Sequence, residues 1–239
     1  MLNCRDEAPS PLLRPYVENF WYAEPTNDAT CEVLPDASVD VCFAFSERKP
    51  EILLFGPTTA RTVYEFQPGI AYLGIKFRPG AAALLLHEDM SCLTDAAIAV
   101  PAFLGMRAER IMDLNDGIAR SNYLEAAIVR ALAGYVGRSS ELVSNAIELI
   151  HRTQCNIRIQ ELADECGVSR RHLERVFSEC VGVSPKIYTR IYRFRAVMDD
   201  AAAKTPVNWA DIAAAHGYSD QSHFIRDYRS FSGRVPTAQ

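Results

Sequence analysis

The sequence has no apolar run approaching the roughly 18–20 residues that span a bilayer. Its longest candidate, Ala96 to Met106, is broken by Pro101 and Gly105. The opening Met-Leu-Asn-Cys-Arg-Asp-Glu puts charges where a signal peptide needs an apolar core, so export is not expected and the expected location is the cytoplasm. No Cys-x-x-Cys occurs among the seven cysteines (4, 31, 42, 92, 155, 166 and 180), and no Cys/His clustering offers a metal site. The cysteines are read as reduced thiols, several buried as small hydrophobes. Cys31 and Cys42, on neighbouring expected strands, are the pair that would suit a redox or metal-ion sensor. Gly-x-Ser-x-Gly, a phosphate loop and His-Glu-x-x-His are all missing. Asp36 and Asp40 stand without a base or metal to make them catalytic. An enzyme is not expected, nor is a cofactor.

What is present is an ordinary globular composition: 239 residues, 49% hydrophobic, 23% charged and 10% aromatic. The length suits one large domain or two of about 100–150 residues. Charge is uneven. Residues 1–140 hold 12 Lys+Arg against 18 Asp+Glu, whereas residues 141–239 hold 13 against 12 and four of the five histidines. Net charge alone is therefore poor evidence for a nucleic-acid partner, and the placement of the arginines matters more.

Residues 1–78 read mainly as β. Val17–Glu24, Ser38–Phe45, Ile52–Phe55, Arg61–Phe66 and Ala71–Phe77 are separated by Gly56-Pro57, Pro68-Gly69 and Pro79-Gly80. Val39, Val41, Phe43 and Phe45 alternate onto one face. Short strands about ten residues apart predict an antiparallel sandwich or barrel. Trp21, Tyr22, Phe43, Phe45, Tyr64, Phe66 and Tyr72 form either the core of that sheet or the lining of an apolar pocket. Arg61, Lys76 and Arg78 are either strand-surface charges or contacts for an anionic effector. From Pro79 the pattern turns helical: a short helix at Ala81–His87, two more between Arg107 and Val136, and a hinge at Gly137-Arg138-Ser139-Ser140.

The last hundred residues contain a duplication. Ile159–Ser169 aligns with Trp209–Ser219 at an offset of 50, pairing Leu162/Ile212, Ala163/Ala213, Gly167/Gly217 and Ser169/Ser219. One inserted residue then shifts the offset to 51, pairing His172/His223, Leu173/Phe224, Arg175/Arg226, Phe177/Tyr228, Gly182/Gly233 and Pro185/Pro236. Each copy makes physical sense as a helix-turn-helix. The small Ala163 or Ala213 lets two helices cross closely, Gly167 or Gly217 takes the positive φ of the turn, and Ser169 or Ser219 caps the second helix. Leu173, Val176 and Phe177 then face inward, leaving Arg170, Arg171, Glu174, Arg175 and Ser178 outside. In the second copy Phe224 and Tyr228 pack inward, and Gln221, Ser222, Ile225 and Arg226 point away. Such side chains near a helix N-terminus reach base edges in the major groove: Arg suits guanine, Gln adenine, and Glu accepts from cytosine.

Between the copies, Ser184-Pro185 opens a long helix with Ile187, Ile191, Phe194 and Met198 as its apolar stripe. Lys186, Arg190, Arg193 and Arg195 lie on its other faces as phosphate contacts or salt-bridge partners, two roles the sequence does not separate. A preceding helix, Glu141–Thr153, is apolar at Val143, Ala146, Ile147 and Ile150.

Residues 141–239 resemble the AraC/XylS-type transcriptional regulators. The stretch Gly217-Tyr-Ser-Asp-Gln-Ser-His-Phe224 carries the resemblance, followed by Arg226, Tyr228, Phe231 and Gly233. Leu162-Ala163, Gly167-Val-Ser169, His172-Leu173 and Gly182-Val-Ser-Pro185 support it. Val235–Gln239 ends where members of the family usually carry a few more residues. The resemblance implies two helix-turn-helix units in one monomer, reading one face of DNA about one turn (~34 Å) apart. It makes Arg171, Glu174 and Arg175 base-facing in the first unit, and Gln221, Ser222 and Arg226 in the second. Together with Arg170 and His223 these form the candidate DNA-binding set. Pro35–Asp40, Gly56-Pro57, Gly74–Gly80 and Leu93-Thr94-Asp95 resemble the β-rich sensor half of some of these regulators, without implying a particular ligand. No trio of His and carboxylates on the expected strands suits a cupin-style metal site.

The expected fold is α+β. Residues 1–95 form a β-rich regulatory domain, 96–140 a helical linker, and 141–239 an all-α domain with units at about 158–180 and 208–232. The expected function is a sequence-specific regulator controlled through its N-terminal half. Double-stranded DNA is its expected partner. RNA polymerase and an unidentified small-molecule effector are open candidates, and the chain is a monomer or homodimer. Two alternatives stand beside it. One is a partner-controlled interaction protein or anti-regulator with little autonomous DNA binding. The other is a DNA-modifying enzyme, whose zinc-tethered form would need cysteine neighbours that Cys4 and Cys31 lack.

Overall fold

The computed structural model describes residues 4–46, 49–114, 117–133, 138–204 and 207–236, without the side chains of 117–118 and 138–140. The strands are β1 (Cys4–Glu7), β2 (Val17–Ala23), β3 (Ala29–Val33), β4 (Val39–Phe45), β5 (Glu51–Phe55), β6 (Thr62–Phe66), β7 (Ala71–Phe77) and β8 (Ala97–Val100). The helices are α1 (Ala83–Leu86), α2 (Ala108–Met112), α3 (Gly117–Ala133), α4 (Arg138–Arg152), α5 (Ile159–Glu165), α6 (Arg170–Val181), α7 (Pro185–Ala202), α8 (Trp209–Ala215) and α9 (Gln221–Ser232), with a 3-10 turn at Met90–Leu93.

Alternation in the strands decides the N-terminal architecture. Six strands form an antiparallel sheet of order β1-β2-β7-β4-β5-β8, and β3 pairs with β6 in a separate antiparallel ribbon. Val39, Val41, Phe43, Phe45, Leu73 and Ile75 leave one face of the large sheet and are buried against Leu85 of α1, Ile111 of α2, and Leu124 and Ile128 of α3. Ala23, Cys42 and Tyr72 leave the opposite face and meet Trp21, Phe55 and Phe66 beneath the ribbon. Gly74 stands opposite Trp21 in the β2–β7 register. A Cβ there would fall 1.8 Å from the indole, so only glycine lets the ring lie flat on the sheet.

The expected strands in the Val17–Phe77 region are present as β2, β4, β5, β6 and β7. Strands β1, β3 and β8 lie outside the stretches that the sequence marks as strands. Strand β1 is polar and mostly exposed, β3 alternates Ala29, Cys31 and Val33 with Thr30 and Glu32 over only five residues, and β8 is apolar at all four positions, so none offers a long alternating run. Strand β8 opens the 96–140 stretch read as helical, because Ala97–Val100 completes the sheet edge beside β5. Of the expected hinge at 137–140, residues 138–140 open α4; Gly137 lies outside the described residues, as do 134–136 and the final 237–239.

In the C-terminal half, Leu162, Ala163, Leu173, Val176 and Phe177 pack with Val143, Ala146 and Ile150 of α4. Ile212, Ala213 and Phe224 pack with Val197 and Ala201 of α7, while Phe231 joins Ile191 and Phe194. Tyr188, Ile191, Phe194, Val197 and Ala201 are the fully buried line of α7, whereas Ile187 and Met198 are half-buried at its margin. Ser184 caps this helix by accepting from the Ile187 N–H at 3.3 Å, and Pro185 occupies its first turn.

The arginines of α7 face inward. Arg190 donates twice to Asp227 Oδ1 of α9, at 3.1 and 2.7 Å. Arg193 donates to the Cys155 carbonyl at 2.7 Å, beside the first unit. Arg195 lies 3.6 Å from Asp36 of the N-terminal half. Lys186 alone of the four is exposed without a side-chain partner among the described residues. The Asp227 side chain is only 3% exposed, so losing its cation would strand a buried charge. Arg190→Met should lower the stability of the full chain by about 3 kcal/mol in urea denaturation. Lys186→Ala should stay within about 0.5 kcal/mol. Equal losses would show that Arg190 acts by packing alone.

Candidate nucleic-acid interface and an apolar cavity

Each unit turns through a glycine at positive φ, +69° at Gly167 and +77° at Gly217, as the repeat predicts. The caps differ. Ser169 accepts from the His172 N–H at 3.3 Å, whereas in the second unit the cap is Asp220, accepting from the His223 N–H at 2.7 Å. Ser219 instead donates to Asp220 at 3.0 Å. The inserted residue moves the cap by one position, which corrects the expectation for Ser219. The bond from the His223 N–H is the chief reason the Asp220 carboxyl lies below its usual range.

Arg170, Arg171 and Arg175 are exposed in the first two turns of α6, and Gln221, Ser222 and Arg226 in those of α9. Arg171, Gln221, Ser222 and Arg226 carry no side-chain hydrogen bond or ion pair among the described residues. Arg170 pairs with Glu174 at 2.9 Å and Arg175 with Glu179 at 2.8 Å. Exposed i,i+4 pairs of this kind contribute only about 0.3–0.5 kcal/mol and yield readily to a stronger acceptor. Glu174 is half-buried. His223 is half-buried too, its Nε2 4.0 Å from Asp227 and its ring beside Tyr218. Ser178 and Ile225, expected outside, are half-buried; Ile225 packs against the cluster around Phe224, where an aliphatic side chain gains by leaving water.

The N-terminal half touches both second helices at their far ends. Gly182, the C-cap of α6, has no room for a Cβ: Pro57 Cγ would lie 2.4 Å away and the Met90 carbonyl 2.9 Å. Thr94 donates to the Gly182 carbonyl at 2.5 Å. At the end of α9 the Arg61 N–H donates to the Phe231 carbonyl at 2.8 Å, and Arg234 pairs with Glu32 at 3.0 Å. Ala37 and Leu34, from the β3–β4 connection, enter the cores of the first and second units respectively.

Between the large sheet and the β3–β6 ribbon lies a cavity of about 400 Å3. Of the aromatic candidates, Trp21, Tyr64, Phe66 and Tyr72 line it. Tyr22, Phe43 and Phe45 belong to the helix-covered face, as their strand parity requires. Cys31 and Cys42 both reach the cavity, but from the ribbon and the large sheet, not from paired strands. All seven cysteines are free thiols, with Cys42 and Cys155 fully buried. Arg61 is bound to Glu32 at 2.6 Å, Arg78 donates to the Arg14 carbonyl at 2.7 Å, and Lys76 is hydrogen-bonded to Asp36. Asp40 sits on the cavity floor, accepting from Trp21 Nε1 at 3.0 Å. It is half-buried, and burial raises its carboxyl to about 6 against the pull of Lys76 and the indole N–H. Among the described residues no group of three or more His, Cys, Asp or Glu is placed to hold a metal ion, and no helix is long and apolar enough to cross a membrane.

Two helix-turn-helix units joined by one rigid helix, set against a β-rich half, define a double helix-turn-helix protein. Residues 162–238 match the helix-turn-helix domain family, and residues 5–99 match a domain family of unknown function, DUF6597. The XylDLEGF operon transcriptional activator of Pseudomonas putida is 28% identical over 134 residues, 54% of this chain and 41% of that protein. The chain therefore spans about two-fifths of the length of that curated relative. Among solved structures, ToxT from Vibrio cholerae is similar with a TM-score of 0.45 at 11% identity, covering 91% of this chain and 95% of that one. The AraC-like transcriptional activator CuxR follows at 0.27 and 12%, covering 85% and 88%. Residues 162–238 thus form a helix-turn-helix domain of the matched family, lying behind a β-rich N-terminal domain.

The position of Asp40 has a measurable cost. An acid whose folded pKa lies above its unfolded value of about 4 stabilises the fold only while protonated, so its contribution is lost as pH rises from about 4 through 6. Asp40→Asn keeps the acceptor for Trp21 and removes the charge. The variant should be more stable than the parent at pH 7.5, by on the order of 2 kcal/mol, with the gap closing towards pH 4. A gap independent of pH between 4 and 7.5 would refute this origin.

Proposed function

We propose that the chain is a sequence-specific DNA-binding transcriptional regulator in which α6 and α9 read adjacent major-groove segments. The observation that carries this reading is the duplicated second helix. Both copies are capped and exposed over their first two turns, and both place arginine at the equivalent position, Arg175 and Arg226. Arg171, Arg175, Gln221, Ser222 and Arg226 are the base-contact set, with Arg170, Glu174 and His223 orienting or flanking them. Lys186 is left for a phosphate. Double-stranded DNA is thus the partner, and activation, the role of the Pseudomonas putida relative, is the natural role here. The cavity supports an effector site. Its wall is linked to the reader, since Asp36 binds Lys76 on the cavity side and lies 3.6 Å from Arg195 of α7.

The reading is tested by selecting bound duplexes from fragmented genomic DNA with the full chain. A shared motif with two half-elements about one turn apart is expected; no enrichment would favour a partner-controlled protein with little autonomous DNA binding. On the selected site, Arg175→Ala and Arg226→Ala should each cost about 1–3 kcal/mol and relax preference at one position. Uniform weakening on all sequences would mark a phosphate contact instead. Affinity should fall steeply with salt, as phosphate neutralisation requires.

A further inference from the structure

The cavity also carries information about what it would hold, and the charges around it point one way. At its rim stand Asp6 and Glu65, both exposed, and on its floor Asp40. The cation on its wall is Lys76, whose ammonium is already bound to Asp36 and lies 4.0 Å from Glu18. An anion entering here would meet three carboxylates and would have to take Lys76 from its partner. A cation meets the reverse. Asp40 accepts one hydrogen bond, from the indole N–H, with Lys76 as its cross-strand neighbour, and keeps acceptor capacity for a further donor, while Trp21, Phe66 and Tyr72 form an aromatic cluster on the same lining. Aromatic walls attract an organic ammonium as well as an apolar body. A volume of about 400 Å3 lies at the small end of the range for drug-sized ligands.

We infer that the cavity binds a small hydrophobic organic cation, an aromatic or alicyclic amine, with Asp40 as its counter-ion and the Trp21–Phe66–Tyr72 cluster around its apolar body. This rests on the proposed reading of the N-terminal half as a sensor and adds the class of ligand. The amine donates to the Asp40 oxygen that Trp21 leaves open, and the acidic rim raises its local concentration before entry.

Three isosteres decide the matter by titration calorimetry on the full chain at pH 7.5: 2-naphthylmethylamine, 2-naphthalenemethanol and 2-naphthoate. The amine should bind at least about tenfold more tightly than the alcohol, and the carboxylate most weakly. Asp40→Asn should bring the amine to the level of the alcohol while leaving the alcohol unchanged. The comparison in the parent protein stands even if that variant is poorly folded. A carboxylate binding as well as the amine, an amine no better than the alcohol, or no binding by any of the three at millimolar concentration overturns the inference. DNA affinity measured with the amine present separates the two readings. An amine that binds without altering DNA affinity upholds the ligand class and removes the sensor role.

Discussion

The Arg190–Asp227 ion pair anchors the long helix to the second unit and fixes how α9 lies against α7. A helix of 18 residues joining two small helical units has little area to grip either one. Helix α7 solves this by turning its arginines inward. Arg190 is bound to α9, Arg193 to the loop before α5, and Arg195 to the N-terminal half. Each guanidinium reaches a different body from neighbouring turns of one rod. An Arg–carboxylate pair with one nearly buried partner adds little net stability over an apolar pair of the same shape, but it is costly to break and fixes geometry. The buried line from Tyr188 to Ala201 supplies the apolar energy, and the arginines set the angle.

Most of the C-terminal half was legible because its signals are local and duplicated. A small residue, a glycine four positions later, a cap and an i, i+3, i+4 apolar set specify a helix-turn-helix without tertiary information, and the structure places Leu173, Val176, Phe177 and Phe224 as the periodicity required. The misplaced cap shows where repetition misleads: the insertion lies between Ser219 and His223, so the hydroxyl equivalent in alignment is not equivalent in geometry. The destinations of Arg190, Arg193 and Arg195 were not legible at all. Periodicity says which face of α7 they occupy, and only the fold says what packs against that face.

In the β half, long alternation revealed the central strands, whereas β1 is polar, β3 alternates over only five residues, and β8 is uniformly apolar without alternation. The cavity was half legible. Seven aromatics were visible as pocket or core, and strand parity would have divided them. Trp21 and Tyr72 share a parity across β2 and β7 that puts them opposite Phe43 and Phe45. Gly74 was the overlooked signal. A glycine inside an apolar strand marks a close approach, and here the indole of Trp21 occupies the space a side chain would take. In the sequence Asp40 is an acid without a base, and its significance lies in the largely apolar cavity it enters.

The contacts from the N-terminal half fall on the rear of each second helix, at Gly182 and at Phe231 with Arg234, while the exposed arginines occupy the front. The β-rich half thus grips the two helices as a hand grips the legs of a pair of calipers, with α7 as the rivet. On the proposed reading, a shift at the grip would change the gap between the points. A protein built in this way would discriminate among DNA sites by the spacing and rotational phase of their two halves as well as by their bases. The Cβ-intolerant seat of Gly182 would act as the stop that keeps one leg from slipping.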